Sequence, residues 1–424
     1  MPRTTMLPDV SPTKKKCWIP WRWATKLEAA VPASETPDSP NLLTGALTMA
    51  TRTRHSTLER GSAVLAAVAA GLALLPGAGA AQNLSDVKPP PKPLVLAQQG
   101  SFFVGGKQQF SDAAGWDLAG ALAQYGSGDV TVNQMYVQFQ VPVTHRQRVP
   151  VVFVHGCCLS SKTWETTPDG RMGWYEYFTR QGFPTYLGEQ AGRARSGFDA
   201  TSFNEVKEGL KPLSAQPPIL IGTAQFAWGV FRFGPSFGTA WPDEQFPLYK
   251  VNQLYKQVIP DLILTQVPDL FAELGDPGDR LPTVRDMATL ARELGGAVLI
   301  GHSQSSGFPT KAALHDPTGV RGIIGLETGC FDNLDAGQIA TLSRIPILIM
   351  VGDHFNTPQP DATCVTEMQQ INAAGGDMTF IALPDLGIHG NSHMFMQDTN
   401  NLQVANVIID WIRRHVESRG LAQH

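Results

Sequence analysis

The chain has 424 residues, of which 42% are hydrophobic and 17% charged, and its formal net charge is −4. That is enough apolar sequence for a full core, and it suits one large domain with insertions better than several small ones. The acidic balance argues against nucleic acid or an anionic membrane as partner, and no repeat of fixed period is visible.

The first 80 residues do not read as part of the fold. Arg52, Arg54 and Arg60 precede the apolar run Ala63–Leu75, then come Pro76, Gly77 and Ala78-Gly79-Ala80. A positive start, a short apolar middle and an A-x-A end describe a secretory signal peptide over 49–80, and the run is short for a membrane span. Met49 stands just ahead of it, so residues 1–48 are expected to be an upstream extension without a structural role. A buried helix is the competing reading of the run. Nine basic and five acidic residues lie within the first 80, so removal leaves 24 against 32 and a net charge of −8. The expected product is periplasmic or secreted, with no stable membrane span. Of five cysteines, Cys17 leaves with the leader, and Cys157, Cys158, Cys330 and Cys364 remain; an even number in an oxidising compartment suggests two disulfides.

Within 81–424, a Pro-rich lead-in (82–98) precedes a short strand at Gly100–Gly106 and an alternating strand at Val130–Val141, an antiparallel start to a sheet. A buried strand, Pro150–His155, is followed by a helix over Met172–Gln181, a strand over Phe183–Leu187 and a Gly/Arg turn, Gln190–Ser196. From about 199 to 283 the alternation stops, and the segment carries Phe203, Phe226, Trp228, Phe231, Phe233, Phe237, Trp241 and Phe246. A stretch this long without regular alternation is usually functional, and it reads as a cap over the active site; the alternative is a decoration packed on itself. Alternation then returns: a helix at Val284–Leu294, a strand at 297–302, strands at Gly322–Leu326, Ile345–Val351 and Met378–Leu383, and helices at Cys364–Ala374 and Asn401–Val416. The pattern predicts an α/β fold, a mostly parallel sheet with helices on both faces.

The candidate chemistry starts at Ala297-Val298-Leu299-Ile300-Gly301-His302-Ser303-Gln304-Ser305. An apolar strand that stops at Gly and presents a Ser two residues on is written like a nucleophile elbow, with Ser305 in place of the last Gly of G-x-S-x-G. A chance pentapeptide in a Gly-rich loop is the alternative. A serine nucleophile needs a base, an acid to orient it and donors for the oxyanion, in chain order Ser, acid, His. The base is His389 or His393, both in Leu386–Met394, and spacing does not separate them. The acid is Asp353, at the end of strand 347–351, or Glu327, at the end of the strand before it. His155 is expected to brace the oxyanion loop and His302 to line the pocket, with His315 and His354 at the surface or one layer behind. The donors are expected to be the N–H of Gln304 and one from the loop after His155-Gly156. That loop reads Cys157-Cys158: two separate buried thiols, a metal or redox pair, or a strained vicinal disulfide stiffening the loop. No second Cys pair or His cluster has metal-ligand spacing.

His155-Gly156-Cys157-Cys158, Trp164–Arg171, Gly301–Ser305 and His389–Met394 with Met396-Gln397-Asp398 resemble a secreted bacterial carboxylesterase family of the α/β-hydrolase superfamily marked by a vicinal disulfide in the oxyanion loop. The similarity covers roughly 98–417 and is thinnest in the cap. The resemblance implies Ser303 as nucleophile, Glu327 as acid and His393 as base. It also implies a Cys157–Cys158 disulfide and oxyanion donors at Cys157 and Gln304. Cys330 and Cys364 then remain to pair with each other, holding the loop after Glu327. The implied reaction is hydrolysis of a small-molecule ester, apolar or aromatic if the cap's rings face it, without metal or organic cofactor. An amidase or other acyl hydrolase on the same triad is the nearest alternative, and a non-catalytic binding protein on the same fold a more distant one. A homodimer is left open.

Overall fold

The computed structural model describes residues 84–115, 120–144, 148–262, 281–327, 330–331, 333–354 and 360–418. The extension 1–48 and leader 49–80 expected from the sequence lie outside the described residues, as does 263–280 of the insertion.

Eight strands form one sheet: β1 Leu96–Ser111, β2 Gly128–Pro142, β3 Val151–Val154, β4 Thr185–Glu189, β5 Ala297–His302, β6 Val320–Leu326, β7 Ile347–Val351 and β8 Met378–Ala382. Their order is β1-β2-β4-β3-β5-β6-β7-β8. The β1–β2 and β2–β4 pairs are antiparallel and every later pair is parallel. The antiparallel start follows from the sequence: β1 and β2 alternate in burial, whereas β3 and β5 are buried throughout, as central parallel strands covered on both faces must be.

Nine described α-helices are α1 Trp174–Arg180, α2 Thr201–Lys207, α3 Ala224–Val230, α4 Val251–Tyr255, α5 Pro282–Glu293, α6 Phe308–His315, α7 Ala336–Leu342, α8 Ala362–Ala373 and α9 Asn401–Ile412. Two apolar cores lie on opposite faces of the sheet, since successive strand residues point opposite ways. Val151, Phe153, Val298, Ile300, Leu348 and Met350 join one, and Val152, Val154, Leu299, Ile347 and Ile349 the other. On the first face α9 buries Val404, Ala405, Ile408, Ile409 and Ile412, a 3–4 residue spacing that makes a single apolar stripe. It stops at Ile412, where a π-turn over Arg413–Glu417 takes over, shorter than the 16-residue helix read from the sequence. Pro282 at the first turn of α5 costs no hydrogen bond, because the first N–H groups of a helix have no partner anyway. This is the α/β-hydrolase arrangement, with catalytic loops expected at the carboxyl ends of the parallel strands.

The inserted segment carries α2, α3 and α4, and within it Leu220 pairs with Asp261 in an isolated antiparallel bridge. Its aromatic residues divide between core and surface. Trp228, Phe231, Phe233 and Phe246 are buried in the same core as Phe153 and Trp174, while Phe237 is half exposed. Core filling therefore accounts for much of the aromatic enrichment.

Candidate active site

β5 delivers the serine. Ser303 has φ 56°, a left-handed conformation rare for a residue with a side chain, and such a bend holds the side chain up at the end of the strand. Gly301 is required for the turn, since a Cβ there would land on the Ser305 carbonyl. Ser305 stands where the usual motif has Gly, and its hydroxyl is used. It lies 3.0 Å from the Val154 carbonyl oxygen, to which it donates, and accepts the His302 N–H at 3.1 Å, tying β3 to the bend. Gly156 lets the neighbouring loop approach: a Cβ there would sit 2.9 Å from Ser303 Cβ.

Both histidines left open by the sequence have a carboxylate, and the pairs sort themselves. His393 Nδ1 is 3.1 Å from Glu327 Oε2, both groups buried, and Glu327 Oε1 accepts the Gly352 N–H at 2.6 Å. His389 Nδ1 lies 3.5 Å from Asp353 Oδ2, and that oxygen accepts the Gly390 N–H at 2.6 Å. The His389 side chain is 60% exposed, so this second pair sits at the surface. Glu327 too has a left-handed backbone, φ 59°, and its N–H donates to the Met350 carbonyl at 2.8 Å, turning the acid off the end of β6 across β7.

His393 is wedged in place. Its N–H donates to the Phe231 carbonyl at 3.0 Å, the Phe231 ring stacks on it, and its carbonyl meets His302 Nε2 at 2.9 Å. Burial above all holds its imidazole well below the ordinary value of 6.5, with the Arg232 cation acting in the same direction. Burial likewise lowers His302 to about 3. Neutral imidazole is the form that can take a proton from a hydroxyl. His393 Nε2 is buried with no hydrogen-bond partner among the described residues, so its link to Ser303 is not closed as a hydrogen bond in this structure. Such links are commonly loose before substrate binds.

The loop after β3 faces the serine. Cys157 and Cys158 carry sulfurs 2.7 Å apart, unbonded here, and Cys158 has φ 60°. The Cys157 N–H makes no hydrogen bond among the described residues. Gln304 follows Ser303 in the 3-10 turn Ser303–Ser305, where a helix start leaves N–H groups unused. Behind both lies a wholly buried ion pair, Arg193 with Asp261. Asp261 Oδ2 accepts the Cys158 N–H and the Gln304 Nε2–H, each at 3.1 Å. Arg193 donates to the Gly156 carbonyl at 3.0 Å and to Gln304 Oε1 at 2.7 Å. His155 braces the same loop, its ring accepting the Gln190 N–H at 3.1 Å while Gln190 returns a bond to its carbonyl.

A bacterial esterase of known structure, described as novel, is 42% identical, with a TM-score of 0.69 over 77% of this chain and 99% of its own. The chain belongs to the esterase- and lipase-like α/β-hydrolases. A fungal protein named "Probable secreted lipase phiG", from Fungal sp. (strain ATCC 74256), is 24% identical over 338 residues, 66% of this hydrolase and 86% of the relative. No family model matches.

The roles of several residues of the hydrolase site escaped the sequence reading, Arg171 and Asp398 among them although both stand in its motifs. Arg171 closes the tryptophan motif onto the histidine loop, donating to Asp169 at 2.7 Å, the Asp398 carbonyl at 2.8 Å and the Gln397 carbonyl at 2.9 Å. Asp398 accepts from Ser392 Oγ at 2.6 Å and from the Ser392 N–H at 2.8 Å, and burial raises its carboxyl to about 6. The Gly/Arg turn that holds Arg193 was visible; Asp261 and Arg232 lie in the insertion, where no motif marks them. Cys330 and Cys364 are disulfide-bonded in the structure, and the Phe331 N–H next to the bridge donates to buried Glu367 at 2.7 Å. Two clusters among the described residues have metal-ligand atoms close together. In Cys157, Cys158 and Asp261 the carboxylate is already occupied by Arg193, Cys158 and Gln304. In Asp243, Asp353 and His354, His354 Nε2 is 3.2 Å from Asp243 Oδ1 and its ring stacks on Trp241.

Proposed function

We propose that the chain is a secreted serine carboxylesterase that cleaves small-molecule esters through Ser303, His393 and Glu327. The observation that carries this reading is the buried His393–Glu327 pair, 3.1 Å apart, beside an elbow that holds Ser303 at φ 56°. In the reaction, His393 Nε2 takes the Ser303 proton as the oxygen attacks the ester carbonyl, and Glu327 keeps the imidazole oriented and balances its charge. The oxyanion forms against the N–H groups of Cys157 and Gln304, already fixed and so needing no rearrangement as charge develops. The alcohol leaves with the His393 proton, and water, activated by the same imidazole, clears the acyl-enzyme. Neither a metal nor an organic cofactor has a step in this scheme.

The oxyanion loop works best if rigid. Cys157 and Cys158 sulfurs 2.7 Å apart support a vicinal disulfide in the oxidised protein, closing a ring that fixes the Cys157 N–H. The insertion would cover the site as a cap, and its half-exposed Phe237 suits an apolar or aromatic substrate group. The leader, the fungal relative's name and the disulfide-bonded Cys330–Cys364 support export. The test is hydrolysis of p-nitrophenyl acetate and butyrate by wild type and Ser303→Ala. Turnover surviving in Ser303→Ala would reject the serine mechanism.

A further inference from the structure

The insertion reaches the site at several points, and one of them touches the acid. At the end of α3 the chain turns through Phe231, Arg232 and Phe233, with Arg232 at φ 59°. The flanking rings are buried in the core, and the Phe231 carbonyl holds the His393 N–H at 3.0 Å. Between them, the Arg232 guanidinium forms an ion pair with Glu327 Oε2, the same oxygen that meets His393 Nδ1. The Arg232 side chain is 5% exposed, so its charge is not screened by water. We propose that Arg232 is a positioning residue of the triad: it fixes the Glu327 carboxylate and, as a buried cation beside His393, keeps the resting imidazole neutral. The proposal rests on the esterase reading above.

A neutral partner would serve if anchoring were the whole role. Glu327 already accepts the Gly352 N–H at 2.6 Å, which fixes one oxygen. A buried cation adds something a neutral donor does not: it opposes a second positive charge a few ångströms away. The groups around His393 make Arg232 the permanent cation among them. His302 is neutral at working pH, lowered by burial to about 3; Phe231 is uncharged; Glu327 is the only facing carboxylate among the described residues. Behind Arg232 lie Glu244 and Asp398. Burial raises Glu244 to about 9 and Asp398 to about 6, so near neutral pH Glu244 is protonated and Asp398 is the carboxylate that offsets Arg232. Burial pulls Arg232 itself down to about 9, against the attraction of the Asp398 carboxylate, so it stays charged at neutral pH.

The sign follows. Removing the positive charge eases protonation of His393, so the acid limb of kcat/KM, which reports loss of the neutral base, moves to higher pH. A residue that merely filled space would lower activity without moving that limb. The test compares Arg232→Gln, Arg232→Lys and wild type in the full chain, with p-nitrophenyl acetate as probe, alongside histidine ¹⁵N spectra of the wild type. Arg232→Gln should raise the acid-limb value by about one pH unit or more, a tenfold change in neutral imidazole at the lower pH, while Arg232→Lys leaves it within about 0.3 unit. In the wild-type spectra, His393 should titrate well below 6.5. An unmoved limb in Arg232→Gln, or equal movement in Gln and Lys, overturns the proposal. If Arg232→Gln does not fold, the wild-type spectra decide: a His393 that titrates at or above 6.5 overturns it. Activity remaining in Ser303→Ala would bring down the esterase reading and this proposal together. A dead Ser303→Ala with an unmoved Arg232→Gln limb would bring down this proposal alone.

Discussion

Asp261→Ala should separate the stability of the fold from the aim of the oxyanion loop. Arg193 and Asp261 are both fully buried, and the carboxylate takes the Cys158 N–H and the Gln304 side chain besides its arginine. Removing it strands a guanidinium in the interior, and breaking a buried pair from one side costs about 3–5 kcal/mol. The freed Cys158 N–H and Gln304 amide add about 1 kcal/mol or more between them if no water reaches them. A urea melt should therefore show a loss of about 4–6 kcal/mol, a large part of the 5–15 kcal/mol typical of a domain. The double variant Arg193→Leu/Asp261→Leu removes both charges and should recover most of that stability, because replacing a buried pair with apolar side chains is often neutral. Its kcat on p-nitrophenyl acetate should nonetheless stay down by about 10²-fold, the cost of losing one oxyanion donor, because nothing then aligns the Cys157–Cys158 backbone with Gln304. Stability losses below about 1 kcal/mol in Asp261→Ala, or full kcat in a folded double variant, would refute the placement of this pair behind the oxyanion loop.

Other outcomes follow from the same geometry. Ser303→Ala should lower kcat by about 10⁴-fold or more in the ester assay while leaving the melting temperature nearly unchanged. Glu327→Gln should lower kcat steeply, toward the ~10⁴-fold seen when a triad acid loses its charge, whereas Asp353→Asn should leave turnover within a few-fold. Gly301→Ala should fail to accumulate as soluble protein or lose several kcal/mol in denaturant, since its methyl group has to displace the Ser305 carbonyl. Removing the Cys330–Cys364 bridge by a double Ser substitution, which opens a 34-residue separation, should cost about 3–4 kcal/mol measured against the oxidised wild type, with the reduced wild type expected to melt close to the variant. Acid should destabilise the fold between pH 6.5 and about 3. His302, lowered by burial to about 3, binds its proton less readily folded than unfolded, so stability is retained above 6.5 and lost as pH falls. An equilibrium melt series in which His302→Gln shows the same pH slope as wild type would contradict that assignment.

The sheet and the elbow were legible because short-range rules decide them. The apolar runs at 151–154 and 297–302, the alternating 130–141 stretch and Gly301 before Ser303 each carry their structure locally. The choice between His389 and His393, or Asp353 and Glu327, was not local. Which carboxylate meets which imidazole depends on a backbone turned at φ 59° that brings Glu327 within 3.1 Å of His393, 66 residues on, and no short-range rule foretells that pairing. The insertion was the least legible. Its rings signalled burial, but whether they face a substrate or the core depends on how α3 docks, and the docking puts Trp228 and Phe233 inside. Arg232 and Asp261 gave no signal: a single charged residue in an aromatic stretch reads as solvent-facing until a buried partner appears.

The two attachment points of the insertion, Phe231–Phe233 on the histidine side and Asp261 on the oxyanion side, bear on how substrate range could diversify. The stretch between them is tied down again at Gln245, Phe246 and Leu254, which leaves the turns around half-exposed Phe237 and exposed Tyr249 as the places to lengthen, trim or exchange. The anchors themselves are not, for a graft that shifts either one disturbs the Phe231–His393 bond or the Asp261 contacts behind the Cys157–Cys158 loop. Libraries aimed at new esters should thus randomise those exposed turns and leave the buried contacts alone.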